Sequence, residues 1–453
     1  MIVMKFGGTS VGDAERILAV GRIVSAQQER RPLVVVSALA GMTDRLEQAL
    51  DAARRDARDE LEPLLAELER RHRWALEGCI QQPARRHRCA VELTEGCERL
   101  RGHLRSIRIL GECTPRAAAA VLAFGELTSS RIVAEAFEEA GLPAIWVDPR
   151  ELVHTSPSTG QDVDMGVTGR AADRLLRPHL DARCIPVTGG FVASDVAGET
   201  ITLGRGGSDT TAAVLGAALA AEEIQIWTDV DGMMTADPRR VTAARTLATL
   251  SFVEAAELAL GGARVLHPAS VTPAIEASIP VRIRNSFRPQ IEGTVIVKRT
   301  TGERTRPWTA LASRAGVDVA VVRDRRMRAD HDLLPCLLGP EGLPSGGTLW
   351  CSGASVGLAV PAPLDADRLR ARLPGDAVLT VRRDRALVTL VGSAPESAAA
   401  SRGEALSALA GAGADWVGIG GAGGSVLGLF PAAGLDRALT SLHRRFFEEV
   451  AAS

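Results

Sequence analysis

The stretch Ile2-Val3-Met4-Lys5-Phe6-Gly7-Gly8-Thr9-Ser10 decides the architecture of the chain. Its apolar start predicts a buried strand, the paired glycines end that strand, and residues 14–27 follow with apolar side chains at helical spacing. Lys5 would then lie at the carboxyl edge of the strand, where open α/β sheets bind their ligands. Gly7 and Gly8 let backbone amides approach a ligand closely, and Thr9 and Ser10 add hydroxyls before a helix N-terminus that favours anions.

Short apolar strands alternate with helices up to residue 297. The predicted strands are residues 32–37, 144–147, 185–192, 224–228 and 281–284, and one predicted helix carries Gly125 and Glu126 near its middle. This pattern predicts an α/β domain over residues 1–297, with a mostly parallel sheet covered by helices on both faces. Residues 44–115 form a charged helical insertion. Residues 298–307 are a predicted linker, and residues 308–382 and 383–453 are two small α+β modules, either consecutive or intertwined.

Composition excludes several classes of protein. Of 453 residues, 46% are hydrophobic and 24% charged, and the net charge of -2 gives no general affinity for nucleic acid or an acidic membrane. The sequence has neither a secretory signal pattern nor a run of about 20 apolar residues, so no membrane span is expected. Seven scattered cysteines lack a C-x-x-C pair, which favours reduced thiols in the cytoplasm and predicts no protein-bound metal.

Lysine is rare in this chain. Of 53 basic residues only Lys5 and Lys298 are lysine, tyrosine is absent, and Asn285 is the single asparagine. Since arginine is the default cation here, a lysine at the end of the first strand indicates a function. A compact ammonium at that edge can neutralise the charge that develops on a transferred phosphoryl group.

Two further polar constellations lie at predicted element ends. In Leu203-Gly204-Arg205-Gly206-Gly207-Ser208-Asp209, three glycines surround one arginine at the start of a helix, and such an arginine suits bidentate binding of a small carboxylate. Asp209 is either a plain helix cap or a group that orients the reacting centre. Thr228-Asp229-Val230-Asp231-Gly232 follows a buried strand and suits nucleotide binding, although a simple turn fits it equally well. The Walker A and strand-linked dinucleotide patterns are absent.

These segments together resemble the aspartate kinases of the amino-acid-kinase superfamily. The resemblance runs in order through VMKFGGTSV, VVVSALAGMTD, TPRAAAAVLAFGELTSSR, VTGGFVA, TLGRGGSDTTA, WTDVDGMMTADPR and GGARVLHPAS, and covers about residues 1–297. It implies transfer of the γ-phosphate of ATP, with Mg²⁺ on its phosphates, to the β-carboxylate of L-aspartate. This carboxylate is already ionised at neutral pH, so no strong general base is needed.

The resemblance also implies roles for individual residues. Glu126 would face the ammonium of aspartate. The catalytic residues would be Lys5, Asp209 and Arg264. The other aspartate-binding residues would be Thr43, Arg205, Gly206, Gly207 and Ser208. The ATP site would include Lys5, Gly7, Gly8, Thr9, Ser10, Thr228, Asp229, Met234, Arg239, Arg264 and Val265.

This chain departs from the family at several positions. Relatives usually have lysine where Arg264 stands, and arginine keeps the charge but not the compact ammonium geometry. Many relatives place a tyrosine at the position of Met234. The C-terminal modules would be ACT modules that form a homodimer or a higher oligomer. Around residues 328–332 and at Gly347-Thr348, glycine and acidic residues typical of the family are missing, so we expect inhibition by lysine or threonine to be weak or lost.

Two alternatives remain at this point. A sister kinase for another acid is disfavoured because Glu126 and Arg205 together suit a free α-amino acid, whereas an acetylated amine has no use for Glu126. A catalytically silent amino-acid sensor would have lost its kinase motifs and kept its effector turns. The sequence shows the reverse.

Overall fold

The structure is a computed structural model that describes most of the chain. The described residues are 1–156, 162–263, 266, 268–298, 307–324, 333–338, 342–343, 347–352, 355–392, 399–420 and 424–449. They divide into two compact units. The first unit contains Met1–Met233, Ala248–Leu250 and His267–Thr300, and the second contains Met234–Leu247, Ser251–Leu266 and Thr301–Ser453.

The regular elements follow one another in this order. The strands are β1 (Ile2–Phe6), β2 (Pro32–Val36), β3 (Ala144–Trp146), β4 (Ile185–Gly189), β5 (Val192–Ser194), β6 (Thr200–Thr202), β7 (Glu223–Thr228), β8 (Thr249–Ser251), β9 (Val281–Asn285), β10 (Thr294–Val297), β11 (Trp308–Asp324), β12 (Thr348–Ser352), β13 (Ser355–Pro361), β14 (Ala377–Gly392), β15 (Trp416–Gly420) and β16 (Ser425–Pro431). The helices are α1 (Ala14–Ser25), α2 (Met42–Arg54), α3 (Arg58–Cys79), α4 (Pro83–Leu110), α5 (Pro115–Glu139), α6 (Pro149–Leu152), α7 (Met165–Leu175), α8 (Arg177–Asp181), α9 (Gly207–Ala218), α10 (Phe252–Gly261), α11 (Thr272–Glu276), α12 (Leu334–Leu338), α13 (Ala366–Arg372), α14 (Ala399–Gly411) and α15 (Leu435–His443).

The first unit is built on a mostly parallel sheet. Its strand order is β3-β4-β2-β1-β7-β9-β10-β8, and the neighbours from β3 to β9 are all parallel, while β10 runs antiparallel to β9. β1 and β2 are almost entirely buried, as their apolar sequences require. Because parallel strands share a direction, the residues after β1, β2, β4, β7 and β9 all reach the same edge of the sheet.

Helix α5 is the long core helix of the first unit. Thr114 caps it by accepting a hydrogen bond from the Ala117 amide at 3.2 Å, and Pro115 occupies its first turn. By length and composition this helix could cross a membrane, but 61% of its most apolar window is buried within the protein. Helices α2, α3 and α4 pack against α5 and one another.

The second unit contains a six-stranded antiparallel sheet with the order β12-β13-β11-β14-β16-β15. β11 and β14 are its two long central strands, of 17 and 16 residues. One hydrophobic cluster contains Ala320, Val322, Leu358 and Leu369, and another contains Leu311, Val388, Leu409, Phe430 and Leu439. The predicted fold class, a mostly parallel α/β sheet followed by an α+β region, is confirmed.

Candidate active site

A lysine and an aspartate meet at the carboxyl edge of the parallel sheet. Lys5 lies near the end of β1, and its Nζ is 2.7 Å from Oδ1 of Asp209, in the first turn of α9. Their side chains are only 12% and 13% exposed. An ion pair this sheltered is weakly screened by water and salt, so the ammonium is held in a fixed place beside the strand end.

The glycine-rich turn before α9 sets up this pair. Gly206, the residue before the helix, has a φ of +72°, which a residue with a side chain rarely adopts. The turn leaves the Arg205 side chain exposed, and among the described residues none forms a hydrogen bond or ion pair with it. Ser208 is buried in the first helical turn. A free guanidinium and a helix N-terminus together suit a small anion.

Among the acids at this edge, Glu126 has the pKa that is shifted furthest from its ordinary value. It is 4% exposed on α5, and its Oε2 has no hydrogen-bond partner among the described residues. Burial raises the pKa of the Glu126 carboxyl to about 7, while the Ala38 amide and the charge of Lys5 act in the opposite direction. A buried carboxyl oxygen without a partner is costly, and a cationic ligand would relieve that cost.

The loop after β2 contacts both the loop after β1 and Glu126. A side-chain carbon on Gly8 would lie 2.8 Å from the Ala38 carbonyl oxygen, so only glycine lets the loop after β1 and the loop after β2 lie this close. The Ala38 amide in turn donates a hydrogen bond to the Glu126 carboxylate. Thr43, which is half-buried, lies in the first turn of α2 directly beyond this loop. The structure therefore gathers Lys5, Glu126 and Asp209 around the loop ends.

A second group of polar residues lies at the ends of β7 and β9. The Gly7 amide donates to the Trp227 carbonyl at 3.0 Å, and the Ser10 and Ser286 hydroxyls are 2.7 Å apart. The Thr228 hydroxyl donates to the Asp229 carboxylate at 3.1 Å, and Asp229 is exposed. Gly7, Gly8, Thr9, Ser10, Thr228 and Asp229 thus belong to neighbouring strand ends.

The remaining predicted ATP residues are not part of this unit or are not described. Met234 and Arg239 belong to the second unit, where the exposed Arg239 pairs with Asp237 at 2.8 Å. Arg264 and Val265 lie outside the described residues.

Sequence reasoning missed the contribution of β9 to this edge. Asn285 ends β9 and donates to Asp231 at 2.7 Å, and the Ser286 hydroxyl donates to the Thr228 carbonyl at 3.1 Å. These contacts tie the loop after β7 to the end of β9. A signal was present, because Asn285 is the only asparagine in a chain that avoids this residue type. The rarity of its residue type, which pointed to Lys5, therefore points to Asn285 as well.

The site is suited to stabilising charge rather than to removing protons. The described residues contain no group of three or more histidine, cysteine, aspartate or glutamate side chains that could hold a metal ion by themselves. What the described part of this edge offers is a sheltered ammonium, an exposed guanidinium, the N-terminus of α9 and one buried carboxyl oxygen without a partner. These groups are typical of a site that binds a zwitterion and a phosphate.

Comparison with known proteins identifies this arrangement. The model of the "Amino acid kinase family" matches residues 1–285. The chain is 31% identical to "Aspartokinase 3, chloroplastic" of Arabidopsis thaliana, covering 87% of this chain and 72% of the relative. It is 33% identical to "Lysine-sensitive aspartokinase 3" of Escherichia coli, covering 75% and 73%. A crystal structure of E. coli aspartokinase III in complex with aspartate and ADP superposes with a TM-score of 0.82 at 30% identity, covering 99% of this chain and 100% of that one.

The parallel sheet with Lys5 at its carboxyl edge therefore lies within the region that matches the amino acid kinase family. Within the amino acid kinase family, the chain belongs to the aspartokinases.

Proposed function

We propose that this protein transfers the γ-phosphate of ATP to the β-carboxylate of L-aspartate and so forms 4-phospho-L-aspartate. The observation that carries the proposal is the combination of the Lys5–Asp209 pair with the buried Glu126, whose Oε2 has no partner among the described residues, at one sheet edge. The first suits phosphoryl transfer, and the second suits a substrate with a free ammonium. The E. coli relative has been crystallised with aspartate and ADP.

The aspartate site is proposed to lie between α5 and the start of α9. Glu126 accepts the substrate ammonium, because its Oε2 is buried without a partner. Arg205 holds the α-carboxylate, helped by Ser208 and by the amides of Gly206 and Gly207 at the helix N-terminus. Thr43 adds a hydroxyl from the first turn of α2.

The nucleotide site is proposed to follow the ends of β1 and β7. Lys5, Gly7, Gly8, Thr9 and Ser10 would face the phosphates. Thr228 and Asp229 would complete the part of the site that lies at the end of β7, and the sequence resemblance assigns Met234, Arg239, Arg264 and Val265 to ATP binding as well. Magnesium prefers phosphate and water oxygens with one or two carboxylates, which fits an edge where Asp209 is the carboxylate beside Lys5. When bound with ATP, the ion neutralises charge on the phosphates.

Catalysis in this proposal rests on positioning. The β-carboxylate of aspartate is already a nucleophile at neutral pH, so the protein has to hold it in line with the γ-phosphate. Lys5 stabilises the charge on the transferred group, and Asp209 keeps the Lys5 ammonium in place through the 2.7 Å contact.

The part of the second unit from residue 308 onward is proposed to consist of two intertwined ACT modules. Each module would use one half of the long strands β11 and β14, which is consistent with the two separate hydrophobic clusters along them. We further propose that these modules form a homodimer or a higher oligomer. A cytoplasmic location is proposed as well, because the cysteines are scattered along the sequence and form no C-x-x-C pair.

The direct test is ADP release by the purified protein with Mg-ATP and one acid at a time. L-aspartate, L-glutamate and N-acetyl-L-glutamate are compared, alongside the variant Lys5→Ala. We expect release that depends on L-aspartate and is lost in the variant. Release with another acid would show a sister kinase, and no release with any acid would show a silent kinase fold. In the second case Arg264→Lys is the variant that would restore activity.

A further inference from the structure

The turn of α5 that carries Glu126 is anchored by a hydrogen-bonded serine. Ser130 is fully buried, and its hydroxyl donates to the Glu126 carbonyl oxygen at 2.7 Å. The indole Nε1 of Trp146, on β3, donates to the same hydroxyl at 2.9 Å. The Ser130 hydroxyl also lies 3.4 Å from the Leu127 carbonyl oxygen, so it bonds this turn of α5 while its oxygen accepts from the indole. The backbone of Glu126 is thereby connected to strand β3.

Two further contacts hold the same turn from other directions. The Ser129 hydroxyl, also fully buried, donates to the Ser37 carbonyl at the end of β2 at 2.8 Å. At the end of β4, a side-chain carbon on Gly189 would lie 3.1 Å from the Glu126 carbonyl oxygen. The turn is therefore enclosed by the ends of β2, β3 and β4. Hydroxyls that bond the carbonyl four residues earlier also bend helices, so this bond influences the direction of the Glu126 side chain.

The indole ring of Trp146 is held by a cation–π contact. The Arg131 guanidinium lies 3.7 Å from the centre of the indole ring and donates to the Glu92 carboxylate, on α4, at 3.2 Å. Stacking of this kind is worth about 0.5–1 kcal/mol at exposed sites and more when shielded from water. A continuous set of contacts thus runs from the helical insertion through Arg131, Trp146 and Ser130 to Glu126.

We propose that Ser130 and Trp146 are positioning residues that aim the unpartnered oxygen of Glu126 at the ammonium of the amino-acid substrate. The proposal rests on the proposed function, because it requires Glu126 to bind that ammonium. Neither residue contacts the reacting atoms. Their loss weakens aspartate binding and leaves ATP binding and phosphoryl transfer largely intact, since Lys5 and Asp209 are on other elements.

The experiment compares steady-state kinetics of Ser130→Ala and Trp146→Phe with the wild type. Loss of one buried hydrogen bond should raise KM for aspartate about tenfold in Ser130→Ala and about threefold in Trp146→Phe. KM for ATP and kcat should stay within about twofold. The acidic limb of the pH profile of kcat/KM for aspartate should shift, because the surroundings of Glu126 change. Ser130→Thr keeps the hydroxyl and should restore most of the affinity.

The matched control is Ser106→Ala on α4. Ser106 makes the same hydroxyl-to-carbonyl bond four residues back, to Gly102 at 3.0 Å, but it is exposed and distant in sequence from the site. It should leave all constants unchanged. If Ser130→Ala fails to fold, Trp146→Phe carries the test, because it keeps the ring for Arg131 and removes only the N–H donor.

The variant Glu126→Gln separates this inference from the proposed function. If Glu126→Gln raises KM for aspartate and both positioning variants leave it unchanged, the inference is wrong and the proposed function stands. If Ser130→Ala and Trp146→Phe lower kcat and raise both KM values alike, their role is only structural and the inference is again wrong. If Glu126→Gln leaves KM for aspartate unchanged, the ammonium assignment fails and this inference fails with it.

Discussion

Buried carboxylates occur in both units, but their partners differ. In the first unit, Glu126 is 4% exposed and one of its oxygens has no partner among the described residues. In the second unit, Glu254 is 1% exposed on α10. It accepts from the Ser251 amide at 2.8 Å, from the Ser251 hydroxyl at 2.7 Å and from the Thr309 hydroxyl at 2.5 Å. Glu257, on the same helix, accepts from the Ser425 hydroxyl.

The difference shows which buried acids serve binding and which serve folding. A folded protein normally provides partners for its buried polar groups, as the second unit does for Glu254. Leaving one oxygen of Glu126 without a partner costs stability unless a ligand provides the missing contact. The same sheet edge also leaves Arg205 without a partner among the described residues. Among the described residues, one carboxylate oxygen and one guanidinium without partners are complementary to an amino acid's ammonium and carboxylate.

The largest effect should come from Lys5→Met. Removing the ammonium that stabilises the transferred phosphoryl group should lower kcat about a thousandfold. The natural control is Lys298→Met, which removes the only other lysine of the chain; Lys298 is exposed and lies 3.5 Å from the Ser278 hydroxyl. ADP release measured for both variants should show loss in the first and no change in the second. Equal activity of the two variants would contradict the role given to Lys5.

Glu126→Gln should weaken aspartate binding about a hundredfold, because a buried charge pair with the substrate ammonium can no longer form. KM for aspartate, measured at pH 8, checks this. In the wild type, KM for aspartate should fall as the pH rises through about 7, since the carboxyl pKa is raised to about 7 and only its ionised form attracts an ammonium. The variant should lose that pH dependence. A variant that keeps the wild-type pH profile would show that another group titrates.

The same variant should make the unliganded protein more stable above pH 7. Burial raises the pKa of Glu126 above its ordinary value of 4.5, so its favourable contribution is complete below pH 4.5 and is lost as the pH rises to about 7. That loss is on the order of 3 kcal/mol. Thermal unfolding without ligand should give Glu126→Gln a higher Tm than the wild type at pH 8 and a similar Tm at pH 4.5. A lower Tm at pH 8 would mean that Glu126 has a partner in solution.

Glu254→Gln should have the opposite effect on stability. It disrupts the helix cap at Ser251 and the bond to Thr309, so we expect a loss of about 2 kcal/mol in the free energy of unfolding, with KM for aspartate within about twofold of the wild type. Glu404→Gln is the control in the same unit, because Glu404 is exposed and pairs with Arg445 at 3.2 Å. It should cost less than about 0.5 kcal/mol. Denaturant unfolding of the three proteins measures the difference. If Glu254→Gln were as stable as the wild type, the contrast between the two units would not hold.

The sequence was sufficient to predict the sheet edge but not the contacts on it. Paired glycines after an apolar strand predicted that Lys5 lies at the carboxyl edge of the sheet, because such positions depend on local chain geometry. The 2.7 Å contact with Asp209 depends on packing between residues 204 positions apart, so its distance could not be predicted. Spacing also gave no indication that β9 would lie beside β7 and bring Asn285 and Ser286 to the site.

The hydrogen bonds that anchor the turn of Glu126 show the same limit of prediction from the sequence. The segment FGELTSSR predicts a helix with Ser130 one turn after Glu126, and the hydroxyl-to-carbonyl bond follows from that spacing. The bond from Trp146 does not, because it requires β3 to lie at the edge of the sheet next to β4. Local bonds are therefore visible in the sequence, and bonds between elements need the topology.

The smallest effect should be seen on adding L-lysine or L-threonine. One E. coli relative is named a lysine-sensitive aspartokinase. In this chain, Gly347-Thr348 stand where the family resemblance leads us to expect an acid that would suit an effector's ammonium. Among the described residues 307–392, the buried acid is Asp318. It is already bound by Arg383 at 3.0 Å and by the Leu364 amide at 3.0 Å. Residues 328–332 lie outside the described part of the chain.

By the reasoning applied to Glu254, an acid whose partners are already provided serves the fold, so Asp318 is a poor receptor for an added ammonium. We therefore expect the rate of ADP release to change less than about twofold when either amino acid is raised to about 10 mM, far above the micromolar range of a tight effector. The titration is done at aspartate concentrations near KM, where competition or a conformational shift would be visible. A saturating inhibition curve in the micromolar to millimolar range would show that the second unit binds effectors through groups other than buried acids. The rule that a buried acid without a partner marks a binding site would then hold for the first unit alone.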